Sequence, residues 1–95
     1  MIDFADGRYR LRGPVTLANV AQLIEYGRRR FDGSSVRVDL SGVTEADSSA
    51  IGLLLGWARE AAARGATIRF ENPTENLETL IGLYQVGEFL PRVRS

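Results

Sequence analysis

Val38-Asp39-Leu40-Ser41-Gly42-Val43-Thr44-Glu45-Ala46-Asp47-Ser48-Ser49-Ala50-Ile51-Gly52-Leu53-Leu54-Leu55 is the stretch that decides how this chain reads. Val36, Val38 and Leu40 alternate with polar residues, so Val36–Leu40 is a short strand with one apolar face. Ser41 to Asp47 shows no regular period and reads as a polar loop. Asp47-Ser48-Ser49 then opens a helix that runs from about Ser49 to Arg64 and stops at Gly65. Each of these three side chains can accept a bond from the unpaired amides of a first helical turn. Negative charge is also favoured there by the helix dipole.

The helix itself is apolar or small nearly all round in its first two turns. At roughly 100° per residue, Ile51, Leu54, Leu55, Ala58 and Ala62 form one stripe, the natural core face. Leu53 and Trp57 lie off that stripe, beside Ala50 and Ala61, while Gly52 and Gly56 leave a groove on another side. Two arrangements satisfy so wide an apolar arc. Flanking helices of the same chain cover Leu53 and Trp57, or a partner does, with Trp57 as a large aromatic anchor.

Outward from this centre the pattern is regular. Ile2 and Phe4, then Tyr9 and Leu11, alternate around the turn signal Asp6-Gly7, which predicts a hairpin halted by Gly13-Pro14. Thr16 offers a hydroxyl cap to a helix with Leu17, Val20, Ala21 and Ile24 at helical spacing. That helix runs to about Phe31 and ends at Asp32-Gly33-Ser34-Ser35. Thr67–Phe70 is a strand, and Thr74 caps a helix through Leu77, Leu80, Ile81 and Tyr84. A tail with Val86, Phe89 and Leu90 ends at Pro91. The order β-β-α-β-α-β-α predicts an α/β fold: a mixed sheet of about four strands, parallel pairs joined by right-handed crossovers, helices mainly on one face.

Composition narrows the chemistry. The 95 residues suit one domain over 1–95, and 44 % apolar content is enough for an ordinary core. Cysteine and histidine are both absent, which removes disulfides, thiolate metal sites, the usual neutral-pH base and the commonest zinc ligand. Twelve basic and twelve acidic residues balance, so no long-range field draws nucleic acid. The run Arg28-Arg29-Arg30 fits the last turn of a helix, facing water. An enzyme would need carboxylates and hydroxyls alone, with Asp39, Glu45 and Asp47 gathered at a strand end and two carboxylates there holding Mg²⁺. With no glycine-rich phosphate loop and no nucleophile–base pair, neither catalysis nor a metal or other cofactor is expected. No segment reads as a signal peptide or membrane span, so the expected location is the cytoplasm.

The run Val38–Val43 followed by Asp47-Ser48-Ser49-Ala50-Ile51-Gly52-Leu53-Leu54 resembles the STAS domain, named for sulfate transporters and anti-sigma factor antagonists. The likeness extends from Leu11-Arg12-Gly13 to Leu80-Ile81-Gly82-Leu83-Tyr84. With Arg64-Gly65, Phe70-Glu71-Asn72 and the early stop at Phe89-Leu90-Pro91, it is nearest to the MlaB-like proteins of bacterial lipid-transport systems. That resemblance implies a single, non-catalytic STAS domain that binds the ATPase subunit of a phospholipid-moving ABC transporter and supports its assembly or activity. The subunit would touch the membrane only through that complex and serve outer-membrane lipid asymmetry. Asp47, Ser48 and Ser49 would form the polar centre of the docking surface, with Leu53 and Trp57 as its apolar part. Ser48 matches a hydroxyl position important in Mla-type proteins, usually threonine. The alternative is an anti-sigma factor antagonist switched by phosphorylation. Ser49 matches the modified position there, although Ala50 stands where those proteins usually have glycine.

Overall fold

In the computed structural model, residues 2–31, 35–90 and 92–93 are described, the last two through their backbone. Asp32, Gly33, Ser34 and Pro91, where helix and chain stops are expected, lie outside them. Strands β1 (Ile2–Ala5) and β2 (Arg8–Val15) form the expected antiparallel hairpin. Its Asp6-Gly7 turn has φ of 55° and 78°, the doubly positive geometry of a two-residue hairpin loop. Helix α1 (Val20–Arg30), strand β3 (Ser35–Ala46), helix α2 (Ser48–Ala63), strand β4 (Thr67–Glu71) and helix α3 (Glu75–Leu83) follow. A 3₁₀ turn at Gly87–Phe89 and a two-residue strand β5 (Arg92–Val93) close the order. The fifth strand goes beyond the sequence expectation of about four.

Sheet order is β1-β2-β3-β4-β5, with every pair after the hairpin parallel. Right-handed crossovers that advance in one direction place their helices on the same side of a sheet. Leu23 of α1, Leu53, Leu54 and Trp57 of α2, and Leu77 and Ile81 of α3 accordingly share one core with Leu11, Val38, Leu40 and Phe70. The opposite sheet face carries no helix among the described residues. Strand alternation gives that face Arg8, Arg10, Arg37, Asp39, Arg69 and Glu71.

Two expectations about strand length are corrected. Gly13-Pro14 does not stop β2, and Ser41–Asp47 is not a loop, because β3 continues to Ala46 beside it. Arg10 and Arg12 pair with Asp39 and Gly42, and Gly13 and Pro14 with Val43 and Glu45, so β3 twice carries one extra residue. Such bulges spoil the two-residue period: Leu40 is followed inward by Val43. Gly13 meets the irregularity with φ +85°, a backbone that other residues rarely adopt.

Helix α1 is also displaced in phase. Residues 16–19 form a turn in which Asn19 Oδ1 accepts from Thr16 N at 3.1 Å, and Thr16 Oγ1 accepts from Ala18 N at 3.3 Å. The regular helix begins only at Val20, and it buries Leu23 and Gly27. Leu17, Ala21 and Ile24, read as its core stripe, face water. Arg28 and Arg29 pair with exposed Glu25, and the Arg30 guanidinium lies 3.9 Å from the Tyr26 ring centroid, as a solvated face does.

Candidate functional site

Asp47 stands at the junction of β3 and α2 in extended conformation, the geometry of an N-cap residue. Its Oδ1 accepts from Ser49 N at 2.8 Å, and its Oδ2 accepts from Leu17 N at 3.2 Å. One carboxylate thus ties the first turn of α2 to the turn before α1. Bonds from the Ser49 and Leu17 amides, with the Ser49 hydroxyl, hold the Asp47 carboxyl below its ordinary value of 3.8 against a smaller opposing effect of burial. A depressed carboxylate contributes stability that is present above the unfolded value and lost as pH falls through the folded one. Replacing Asp47 by Asn keeps the acceptor oxygen and removes the charge. Urea melts from about pH 7 down to about pH 3 are therefore expected to show a shallower acid loss for Asp47→Asn than for wild type. Equal slopes would show that this carboxylate is not held as described.

Ser48 is exposed, and among the described residues its hydroxyl has no hydrogen-bond partner. Ser49 is half-buried, with its hydroxyl turned to Asp47. The three polar residues singled out in the sequence are therefore brought together at one helix start. Only Ser48 is left with a free side chain.

Leu53 and Trp57 are the correction. Both have 0 % exposure, so neither can touch a partner in the folded chain. The indole Nε1 donates to Leu23 O at 3.0 Å, and its ring meets Phe31 edge-on with centroids 5.4 Å apart. The helix of α2 is rotated relative to the sequence reading: Ala50, Leu53, Leu54, Trp57 and Ala61 form the buried arc, joined by Ile51. Leu55 and Ala58, expected in the core, are only half-buried, and Ala62 is exposed.

The apolar part of the surface lies elsewhere. Leu17 is 78 % exposed in the very turn that Asp47 holds. Along α2 the outward stripe is Ser48, Gly52, Leu55, Gly56 and Arg59. A Cβ added at Gly52 or Gly56 would meet nothing within 4 Å, so another backbone can approach the helix closely. Beyond Leu55, a groove of about 490 Å³ runs between Ala58 and Ala62 on one side and Val86 and Phe89 on the other. Leu17 escaped sequence reasoning because it keeps helical spacing with Val20 and Ile24. The Thr16-to-Asn19 turn that displaces it has no apolar signature.

The carboxylates considered for catalysis are not brought together. Asp39 lies on the helix-free sheet face, where burial raises its pKa but the Ser41 amide and hydroxyl, Arg8 and Asn72 outweigh that and lower it. Glu45 is exposed, and Asp47 is committed to the two amides. Among the described residues no group of three His, Cys, Asp or Glu could hold a metal ion. No helix among them is long and apolar enough to cross a membrane.

A one-sided α/β sheet with an exposed capped turn at the end of its third strand is the frame into which the comparisons fit. A family model described as Mlab, STAS domain, matches residues 2–91, and the chain belongs to that family. STAS domains mediate protein–protein interactions. A search of curated protein sequences gives no match. Among solved structures, the anti-sigma factor antagonist SpoIIAA in its unphosphorylated form superposes with TM-score 0.75 at 18 % identity, covering 98 % of this chain and 86 % of that one. An anti-sigma factor antagonist-type protein of Thermotoga maritima gives 0.77 at 14 % identity, with 100 % and 85 % coverage. The phosphorylated form of Bacillus SpoIIAA, described as a cell-fate determinant, gives 0.66 at 19 % identity, with 98 % and 89 % coverage. At these identities the likeness is one of fold.

Proposed function

We propose that this chain is a non-catalytic, cytoplasmic STAS subunit that binds the ATPase of a phospholipid-moving ABC transporter and regulates or assembles it, reaching the membrane only through that complex. The family match supports this reading, and one structural observation carries it: a free Ser48 hydroxyl and an exposed Leu17 side chain sit together beside the Asp47 carboxylate. A capped helix start is rigid, so docking there orders little that was mobile beforehand. The partner's contacts would run from Leu17 and Ser48 along Gly52 to Leu55. Binding one arrangement of the ATPase more tightly than another would shift its population by that difference in affinity.

Co-purification with the ATPase subunit of a phospholipid-moving ABC transporter is the test. Leu17→Asp and Gly52→Leu are each expected to weaken capture by at least about tenfold, the scale of a lost interface contact of 1.4 kcal/mol. Ser48→Ala is expected to weaken it less. Thermal melts should stay near wild type, because neither Leu17 nor Gly52 packs against the core. Full capture of all three variants would remove this surface from the interface.

The neighbouring SpoIIAA structures, solved in both phosphorylated and unphosphorylated forms, support a second reading. In it the chain is an anti-sigma factor antagonist modified at Ser49. A phosphate there would add about −1.5 to −2 charge and compete with Asp47 for the same amide. Transfer of phosphate to Ser49 by a cognate kinase, together with no ATPase capture, would decide for this reading.

A further inference from the structure

Among the described residues, the helix-free face of the sheet carries more arginines than carboxylates to pair with them. Tyr9 pairs with Val38 and Arg37 with Arg69, so Arg8, Arg37 and Arg69 lie in a row across three strands. Glu71, one step further along, receives two of them. Arg37 Nε donates to its Oε2 at 2.7 Å, and Arg8 Nη1 donates to its Oε1 at 3.1 Å. Hydrogen bonds from Arg37, then from Arg8, lower the Glu71 pKa despite burial. Arg69 is exposed, directly opposite Arg37, and has no ion partner among the described residues. Arg10 lies between Asp3 and Asp39 in register, with no ion pair among the described residues, and its Nε is buried without an acceptor there. Like charges directly opposed on neighbouring strands are destabilising. Glu71 offsets that repulsion at Arg8 and Arg37, and Arg69 is the member of the row left for a carboxylate from outside to pair.

The place for it is a hollow of about 500 Å³ lined by Ser35, Val36, Arg37, Thr67, Ile68 and Arg69. Two guanidinium groups flank it, and the Ser35 hydroxyl, which accepts from Thr67 Oγ1 at 3.3 Å, supplies a further donor. It lies at the start of β3, whereas Asp47 follows the end of that 12-residue strand in a molecule 30 Å long. The two surfaces can be occupied at once.

We propose that the helix-free face is a second docking surface, and that it takes a glutamate- or aspartate-rich segment of a protein partner with the Arg37–Arg69 pair at its centre. Carboxylates match the planar guanidinium fork, and Glu71 already shows the face using it in this way. A lipid surface fits less well. Interfacial binding needs apolar side chains to insert, but exposed Phe4 packs against Tyr9 on the helix side, and Leu17, Ile24, Leu83, Tyr84 and Phe89 lie on helices or their connections. Asp39 and Glu71 alternate with the arginines, a pattern that favours a partner with its own defined register. This inference does not depend on the ATPase reading.

Titration of a hexaglutamate peptide into the isotopically labelled chain, followed by amide chemical shifts, tests it. Shifts are expected at Ser35, Arg37, Thr67 and Arg69, and they should weaken as salt rises from about 0.05 to 0.2 M. Arg69→Glu is expected to reduce the apparent affinity by at least about tenfold, and to raise the melting temperature of the isolated chain by placing a carboxylate opposite Arg37. The rise in stability separates a lost ligand contact from a damaged fold. The proposal is overturned if no shifts occur, if they fall on the Arg28–Arg30 helix end, or if Arg69→Glu leaves them unchanged. Binding of phosphatidylglycerol vesicles or inorganic phosphate without binding of the peptide would also overturn it.

Discussion

Trp57→Ala is expected to destabilise the fold by about 3–5 kcal/mol, the usual cost of emptying a large aromatic site in a close-packed core. Typical domains retain only about 5–15 kcal/mol in all, so this variant should lose a large share of its stability and melt well below wild type. Three interactions are lost together: the contact with Phe31, the packing against Gly27, and the bond from Nε1 to Leu23 O. Trp57→Phe keeps a ring but loses the indole's bond to the Leu23 carbonyl and part of the packed volume, for an expected loss of about 1–3 kcal/mol. Circular dichroism melts of both variants measure the difference. The same residue provides a direct check on the interface. Trp57 is the only tryptophan, so its emission should be blue-shifted in the free chain and unchanged when the partner binds. A large change in emission on binding would put the indole back at the contact surface.

The second large effect comes from one substitution made at two places. Gly27→Ala would set a Cβ 2.7 Å from Phe31 Cε2 and Trp57 Cδ1, closer than real Cβ contacts come. Overpacking of this kind costs about 1–3 kcal/mol, which outweighs the roughly 1 kcal/mol that alanine gains over glycine within a helix. Gly56→Ala has nothing within 4 Å to meet, so only the helical gain remains. Denaturant midpoints should therefore move in opposite directions, down at Gly27 and up at Gly56. If both moved upward, α1 would not rest on the indole as described.

These two residues also show why the sequence was legible in some places and opaque in others. Local chemistry was readable: Asp6-Gly7 forms its hairpin, Asp47 and Thr74 accept bonds from Ser49 N and Leu77 N, and the Arg28–Arg30 run ends a helix facing water. Rotation of α2 about its axis was not. Both of its arcs are apolar, and the choice between them depends on Gly27, thirty residues earlier, leaving room for the indole. Periodicity within one helix contains no information about such a gap. The exposed position of Leu17 was hidden for a related reason, since the Asp47 bond that holds its turn comes from the N-cap of α2, 30 residues further along the chain. In β3, the two extra residues interrupt the alternation by which a strand is recognised. Thus the polar half of the candidate site could be read from Asp47-Ser48-Ser49, and its apolar half required the packed structure.

The sheet order has a bearing on how the molecule comes to exist. Each strand lies beside the one that precedes it in the chain, so no segment must wait for a remote portion before it can pair. Outside the hairpin each pairing closes a loop of one whole crossover, 29 residues from Tyr9 to Val38 and 32 from Val36 to Ile68, and pairing over that separation is slower than closing a hairpin. During synthesis, the hairpin can serve as a template for β3 once α1 has emerged, and β3 can do the same for β4. The indole becomes sealed only when α1 and α2 have both been made, and the core is completed later still, when Phe70, Leu77 and Ile81 join it.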